Sequence, residues 1–327
     1  MRKPVMDLIE RWQADGPVEI DELKVWRNED GWTGSWLPHA EISSVLKIDS
    51  LNVLLENELD ESEMGVCELV LLQQNLSTSE KIFEHIENSL QVSRNNETRN
   101  LAIEGRLRME RGLRYFEIGK FEDAESDLTW AEIRLKSVAK YSRDHEISLL
   151  NKAAFHLSND EPLMALHTYA EVTRDGSFSD ETVAISRIGA ARVYSLIGHN
   201  SEALRNSWNA VKHASNTGIS NLIIDSATLF LSISLGFLDD DAMSLDEYSS
   251  LAKPFNAEGV SKNIVSVNSD DLNFVLDLCL NNFGNDYSGN ARDDLRIIIQ
   301  VAKQMNYVDI LNNIRGEKES IEDSVVL

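Results

Sequence analysis

The chain has 327 residues, 42% of them apolar, with five prolines, two cysteines and a formal net charge of −24 at pH 7. Such acidity repels a phosphate backbone, so nucleic acid is excluded as the main partner. Cys67 and Cys279 lie far apart with no CxxC, which excludes a disulfide framework or a zinc knuckle and points to a reducing cytoplasm.

In chain order, the first residues carry Asp7, Glu10 and Arg11 within any apolar run, so no secretory signal is expected. A short helix over Met6–Trp12 precedes two strands, Lys24–Arg27 and Trp32–Trp36. These face each other across Asn28-Glu29-Asp30-Gly31 as a small β-hairpin. Trp12, Trp26, Trp32 and Trp36 make residues 1–60 a Trp-rich region. It suits either a cap on a helix stack or a tryptophan-lined partner surface.

From about Ser43 the apolar spacing is helical. Glu63–Gln74 and Ser79–Val92 form a first, degenerate pair, with Ser77 and Glu80 as a capping box. Further pairs follow at 101–140, 144–173 and 180–215. Ile219–Leu238 then opens a fourth, with Ala227 and Phe230 as its small and aromatic residues and a partner helix starting at Ser244, capped with Glu247. The most apolar window, Leu222–Leu238, is short and holds Asp225 and three serines, so a buried helix is expected and no membrane span. After Pro254 helices are predicted over Asp270–Asn281, Asp293–Gln304 and Val308–Arg315, before an acidic tail. The organisation is therefore 1–60, 61–255 for the helix pairs, and 256–327 for a helical extension.

The middle pairs repeat in step. Small residues recur as Gly112, Ala153 and Ala191, at intervals of 41 and 38 residues. Rings follow at Tyr115, His156 and Tyr194; the breaks fall at Gly119, Asp160 and Gly198; second-helix alanines stand at Ala124, Ala165 and Ala203. Small residues at a crossing let two backbones approach, and the ring fills the space beside them. In this order the chain resembles a tetratricopeptide repeat, with a longer period than the usual 34 residues. The resemblance implies an all-α superhelix of helix pairs whose first helices line a concave groove. Carried over, the groove positions are Arg106, Met109, Leu113 and Phe116; Ile147, Leu150, Ala154 and Leu157; and Ile185, Ile188, Arg192 and Ser195. These are mostly apolar and lack the basic carboxylate clamp of some members. The expected occupant is an amphipathic partner helix or the chain's own carboxyl-terminal helices.

No catalytic, cofactor or metal signature emerges. Between Gly112 and Gly119-Lys120 six residues intervene and Phe121 follows, so this is no phosphate loop. His156 and His167 fit helix packing better than a metal site. Arg99, Arg106, Arg108, Arg111 and Arg114 crowd one helix, either neutralising Glu104, Glu110 and Glu117 or forming a docking patch for an acidic partner. The reading is a non-enzymatic cytoplasmic adaptor without cofactor or metal, holding a protein or peptide partner. The alternatives are a peptide- or ligand-sensing regulator and an accessory subunit of an enzyme complex.

Overall fold

The computed structural model describes residues 61–74, 77–95, 99–239, 241–247, 266–282, 297–298 and 300–301. The helices are α1 (Glu61–Gln74), α2 (Ser79–Asn95), α3 (Leu101–Glu117), α4 (Phe121–Val138), α5 (Arg143–Ser158), α6 (Pro162–Arg174), α7 (Asp180–Leu196), α8 (Asn200–Thr217), α9 (Ser220–Ser234) and α10 (Ser269–Asn282). Among the described residues there is no strand, only an isolated parallel bridge between Leu238 and Val267, and the fold is all-α. The amino-terminal hairpin with its four tryptophans, the helix expected at 308–315 and the acidic tail lie outside the described residues.

The three middle pairs, α3/α4, α5/α6 and α7/α8, are built the same way. The first helix opens on a side-chain cap: Asn100 accepts from the Ala102 and Ile103 amides, Ser142 from His145, and Ser179 from Thr182. Its end is closed by the backbone. Gly119, Asp160 and Gly198 all take left-handed conformations, at φ +77°, +59° and +77°. At each break the following amide reaches back to the ring residue's carbonyl, at 2.8 Å in all three: Lys120 to Tyr115, Glu161 to His156, His199 to Tyr194. The left-handed residue's own amide bonds three back, Gly119 to Phe116 at 3.0 Å and Asp160 to Leu157 and Gly198 to Ser195 at 3.2 Å, and this double closure satisfies carbonyls that a helix end leaves orphaned. The same break launches the second helix, so neither Lys120 nor His199 needs a side-chain cap. At α2 the cap differs from expectation. The Thr78 hydroxyl, one position after Ser77, accepts from the Lys81 amide at 3.5 Å, because the helix starts at Ser79.

The chain divides into two compact units, Met1–Thr168 and Tyr169–Leu327, with the boundary inside α6 and so inside the repeat region. In the first unit Ile82, Ile86 and Leu90 of α2 pack with Leu69 of α1 and Ile103 and Leu107 of α3. A second cluster joins Met109, Ala124, Leu128, Ala131, Leu135 and Phe155. Helix α3 approaches α4 at two glycines: a Cβ on Gly105 would lie 2.9 Å from Leu135 Cγ, and one on Gly112 would lie 3.0 Å from Leu128 Cγ.

In the second unit the largest core gathers Trp208 of α8, Phe230 and Leu231 of α9, and Val275, Leu276 and Cys279 of α10. Each side chain of this size contributes about 1.5–3 kcal/mol when fully buried. The carboxyl-terminal helix α10 thus packs on α9 and edges Phe274 against Trp208. A new helical turn begins at Leu245, with Ser244 Oγ accepting from the Glu247 amide. Asp271 of α10 holds that turn by accepting from the Leu245 amide at 2.9 Å.

Candidate partner-binding site

The groove positions fall into two groups. In the first unit Arg106 and Met109 are interior, Met109 at 0% exposure within the α3/α4 core. Leu113 and Phe116 are half-buried beside that core, and Phe116 meets Phe155 of α5 edge to face at 5.8 Å. Leu150 and Leu157 of α5 are also half-buried, Ile147 packs against the core, and Ala154 is exposed. In the second unit Ile188 is buried with Ala184, Ala210 and Ala214, whereas Arg192 and Ser195 are exposed. A partner therefore reaches Leu113, Phe116, Leu150 and Leu157 more readily than Arg106, Met109 or Ile188.

The small and second-helix positions are packing devices. Ala153, Ala191, Ala124, Ala165 and Ala203 have no exposed surface. The ring column is polar at its tip: His156 Nδ1 lies 2.7 Å from Glu161, Tyr115 receives Lys120 over its ring, and Tyr194 stacks beside His199.

The arginine row of α3 is engaged internally. Glu104, fully buried, accepts from Arg94 at 3.3 Å, Arg99 at 2.8 Å and Arg108 at 3.2 Å. Burial pushes its carboxyl up, yet the Arg99 and Arg108 charges and the hydrogen bonds from Arg99 and Arg94 together hold it below the usual carboxylate value. Arg111 grips Asp127 of α4 through Nε at 2.6 Å and Glu87 of α2 through Nη1 at 2.9 Å, and Arg114 pairs with Glu117. Arg106 sits between Glu110, at 2.7 Å, and Asp144 at the start of α5, at 3.0 Å. Burial works against the Arg106 charge, but the Glu110 and Asp144 carboxylates more than offset it. Asp144 stands the other way. Burial raises its carboxyl, and the Glu110 charge adds to this, against the opposing Arg106 and Arg143 guanidinium groups.

The partners of this network escape sequence reading, apart from Glu104, Glu110 and Glu117. Asp127 did leave a signal, since it lies on the Ala124–Leu128–Ala131 face of α4, where a lone acid needs a buried cation. The large apolar residues exposed at the breaks were also missed: Ile118, Phe121, Leu163 and Met164 in the first unit, Leu196 and Ile197 in the second.

Among the described residues no group of three His, Cys, Asp or Glu side chains could hold a metal ion, and no helix is long and apolar enough to cross a membrane. No protein-family model, curated protein or solved structure matches the chain.

Proposed function

We propose that the chain is a non-enzymatic scaffold of tetratricopeptide-like helix pairs that holds an amphipathic helix from a partner protein. The observation that carries this reading is the recurrence, at Gly119, Asp160 and Gly198, of one break geometry. Within one unit, neighbouring pairs that share a turn can set their first helices side by side, as α3 and α5 are in the first unit. Within the first unit that surface offers Leu113 and Phe116 of α3 and Leu150 and Leu157 of α5, half-buried and apolar. An amphipathic helix reads such a row through anchors at i, i+3, i+4 and i+7.

The test uses the full chain as bait in a lysate of its own source cells, beside a Leu150→Glu/Leu157→Glu double variant. The expected result is a specific partner captured by the parent and lost by the variant, with circular dichroism and Tm little changed. Equal capture by a folded variant overturns the reading of this surface.

A further inference from the structure

In the repeat register Arg187 of α7 takes the position that Arg108 has in α3, two intervals of 41 and 38 residues further along the sequence. The same offset aligns Asp127 with Asn206 and Trp130 with Asn209. In the first of these pairs the arginine is closed off. Arg108 donates to Asp127 at 3.4 Å and to Glu104 at 3.2 Å, and its guanidinium lies 4.1 Å from the centre of the Trp130 ring.

In the later pair the contact across the two helices persists without the charge. Arg187 Nη1 donates to Asn206 Oδ1 at 2.8 Å. The amide of Asn206 is oriented for this, since its Nδ2 donates to the Glu202 carbonyl at 2.8 Å and the side chain is only 4% exposed. Glu104 is replaced by Val183, and Trp130 by Asn209, whose amide turns to the Arg205 carbonyl. Among the described residues Arg187 has no carboxylate partner, and its buried Nε makes no hydrogen bond. The acid nearest in effect, Glu202, is bonded by Arg205. Burial first, and then the Arg205 charge, work against the Arg187 guanidinium, and it is held below its ordinary pKa. An arginine stays charged regardless, so the half-buried cation lacks the compensation that Arg108 has.

We propose that Arg187, held through Nη1 by Asn206 and with its buried Nε unbonded, is a docking point for a carboxylate carried by a partner polypeptide. The assignment to a polypeptide rests on the scaffold reading; the anion site itself does not, and it involves none of the apolar groove positions. Arginine suits a carboxylate because its fixed donors match the acceptor geometry.

The experiment follows the guanidinium resonance of Arg187 in the full chain, assigned by its loss in Arg187→Lys, during titration with acetate, sodium sulfate or an N-acetylated tetraglutamate peptide at constant ionic strength. The expected result is a saturable shift with acetate and with the peptide, the peptide binding at least ~10-fold more tightly. Asn206→Asp, which supplies from within the carboxylate that Asp127 gives Arg108, should abolish the shift while leaving Tm unchanged or higher. Acetate as tight as the peptide overturns the polypeptide assignment. No saturable shift with either, an equal response to sulfate, or undiminished binding by a folded Asn206→Asp chain overturns the site. Each of those results leaves the partner capture assay at Leu150 and Leu157 unaffected.

Discussion

The ring tip of Tyr169 of α6 meets Gly189 of α7, so close that a Cβ at Gly189 would stand 2.3 Å from its Cζ and 2.5 Å from its hydroxyl oxygen. The ring is buried, and burial raises its hydroxyl pKa. Gly189→Ala is therefore an overpacking mutation that costs about 1–3 kcal/mol. Urea unfolding measures it directly. Tyr169→Phe should not rescue the variant, because the clash is with the ring carbon, whereas Tyr169→Leu should recover part of the loss.

Arg106 balances two buried acids, Glu110 and Asp144. Arg106→Met leaves Glu110 with the Gln73 amide, at 2.7 Å, and Asp144 with only the charge of Arg143 nearby, and should cost roughly 3–5 kcal/mol at neutral pH. Asp144→Asn should cost far less, because burial already raises that carboxyl and its Oδ2 has no hydrogen-bond partner. The sign with pH follows. A carboxyl whose folded pKa is raised binds its proton more readily in the native state, so the Arg106→Met deficit should shrink as pH falls from about 7 to 5. A deficit that stays constant or grows over that range would sink the account.

The repeated break makes opposite predictions at neighbouring repeats. Gly119→Ala and Gly198→Ala place a side chain in the left-handed region and should each cost about 1–2 kcal/mol. Asp160 already carries a side chain there, so Asp160→Gly should cost nothing or raise Tm slightly. One column further on, Ala203→Trp should cost at least ~1–3 kcal/mol, since Ala203 has no exposed surface. Equal losses at all three breaks would mean that the backbone there is not shared.

His145 supplies a pH dependence of the opposite sign from Asp144. Its ring is buried and Nδ1 accepts from the Tyr141 amide at 3.1 Å, which only the unprotonated nitrogen can do. Burial, joined by the Lys136 and Lys140 charges and opposed by Glu132 and Glu146, lowers its pKa from the ordinary 6.5. The unfolded chain therefore takes up the proton first as pH falls. Stability from this group is complete above 6.5 and is lost as pH drops from there through the folded value. Thermal scans should show Tm beginning to fall near pH 6. In His145→Gln the baseline is lower and this early slope is absent; an unchanged slope would reassign it.

Much of the architecture was legible because it is local. A cap and the amides it satisfies lie within three residues, and a left-handed break closes on carbonyls three and five positions back. Gly119, Asp160 and Gly198 therefore mark helix ends by their own chemistry, and so does Ser244, whose hydroxyl accepts from the Glu247 amide; Asn100, Ser142 and Ser179 cap their helices by the same local rule but went unread in the sequence. Ser77 shows the limit of that logic: two hydroxyls stand side by side at positions 77 and 78, and the start of the helix selects Thr78.

The resemblance to a tetratricopeptide repeat implied groove positions at Leu113, Phe116, Leu150 and Leu157 on first helices. It did not separate them from Met109 and Ile188 on the same faces, because the depth of a groove depends on how neighbouring helices pack.

By itself, then, the sequence determined that the chain is built of helices and where the breaks at Gly119, Asp160 and Gly198 fall, both set by residues a few positions apart. Only the tertiary structure decided where the charges go. Arg111 finds Asp127 sixteen residues on and Glu87 twenty-four back, and Arg106 finds Asp144 across thirty-eight. Arg187 meets an amide nineteen residues away where Arg108 meets a carboxylate at the same separation. The physical reason is that an ion pair is made by proximity after folding, and neither composition nor period specifies which carboxylate a buried guanidinium will face.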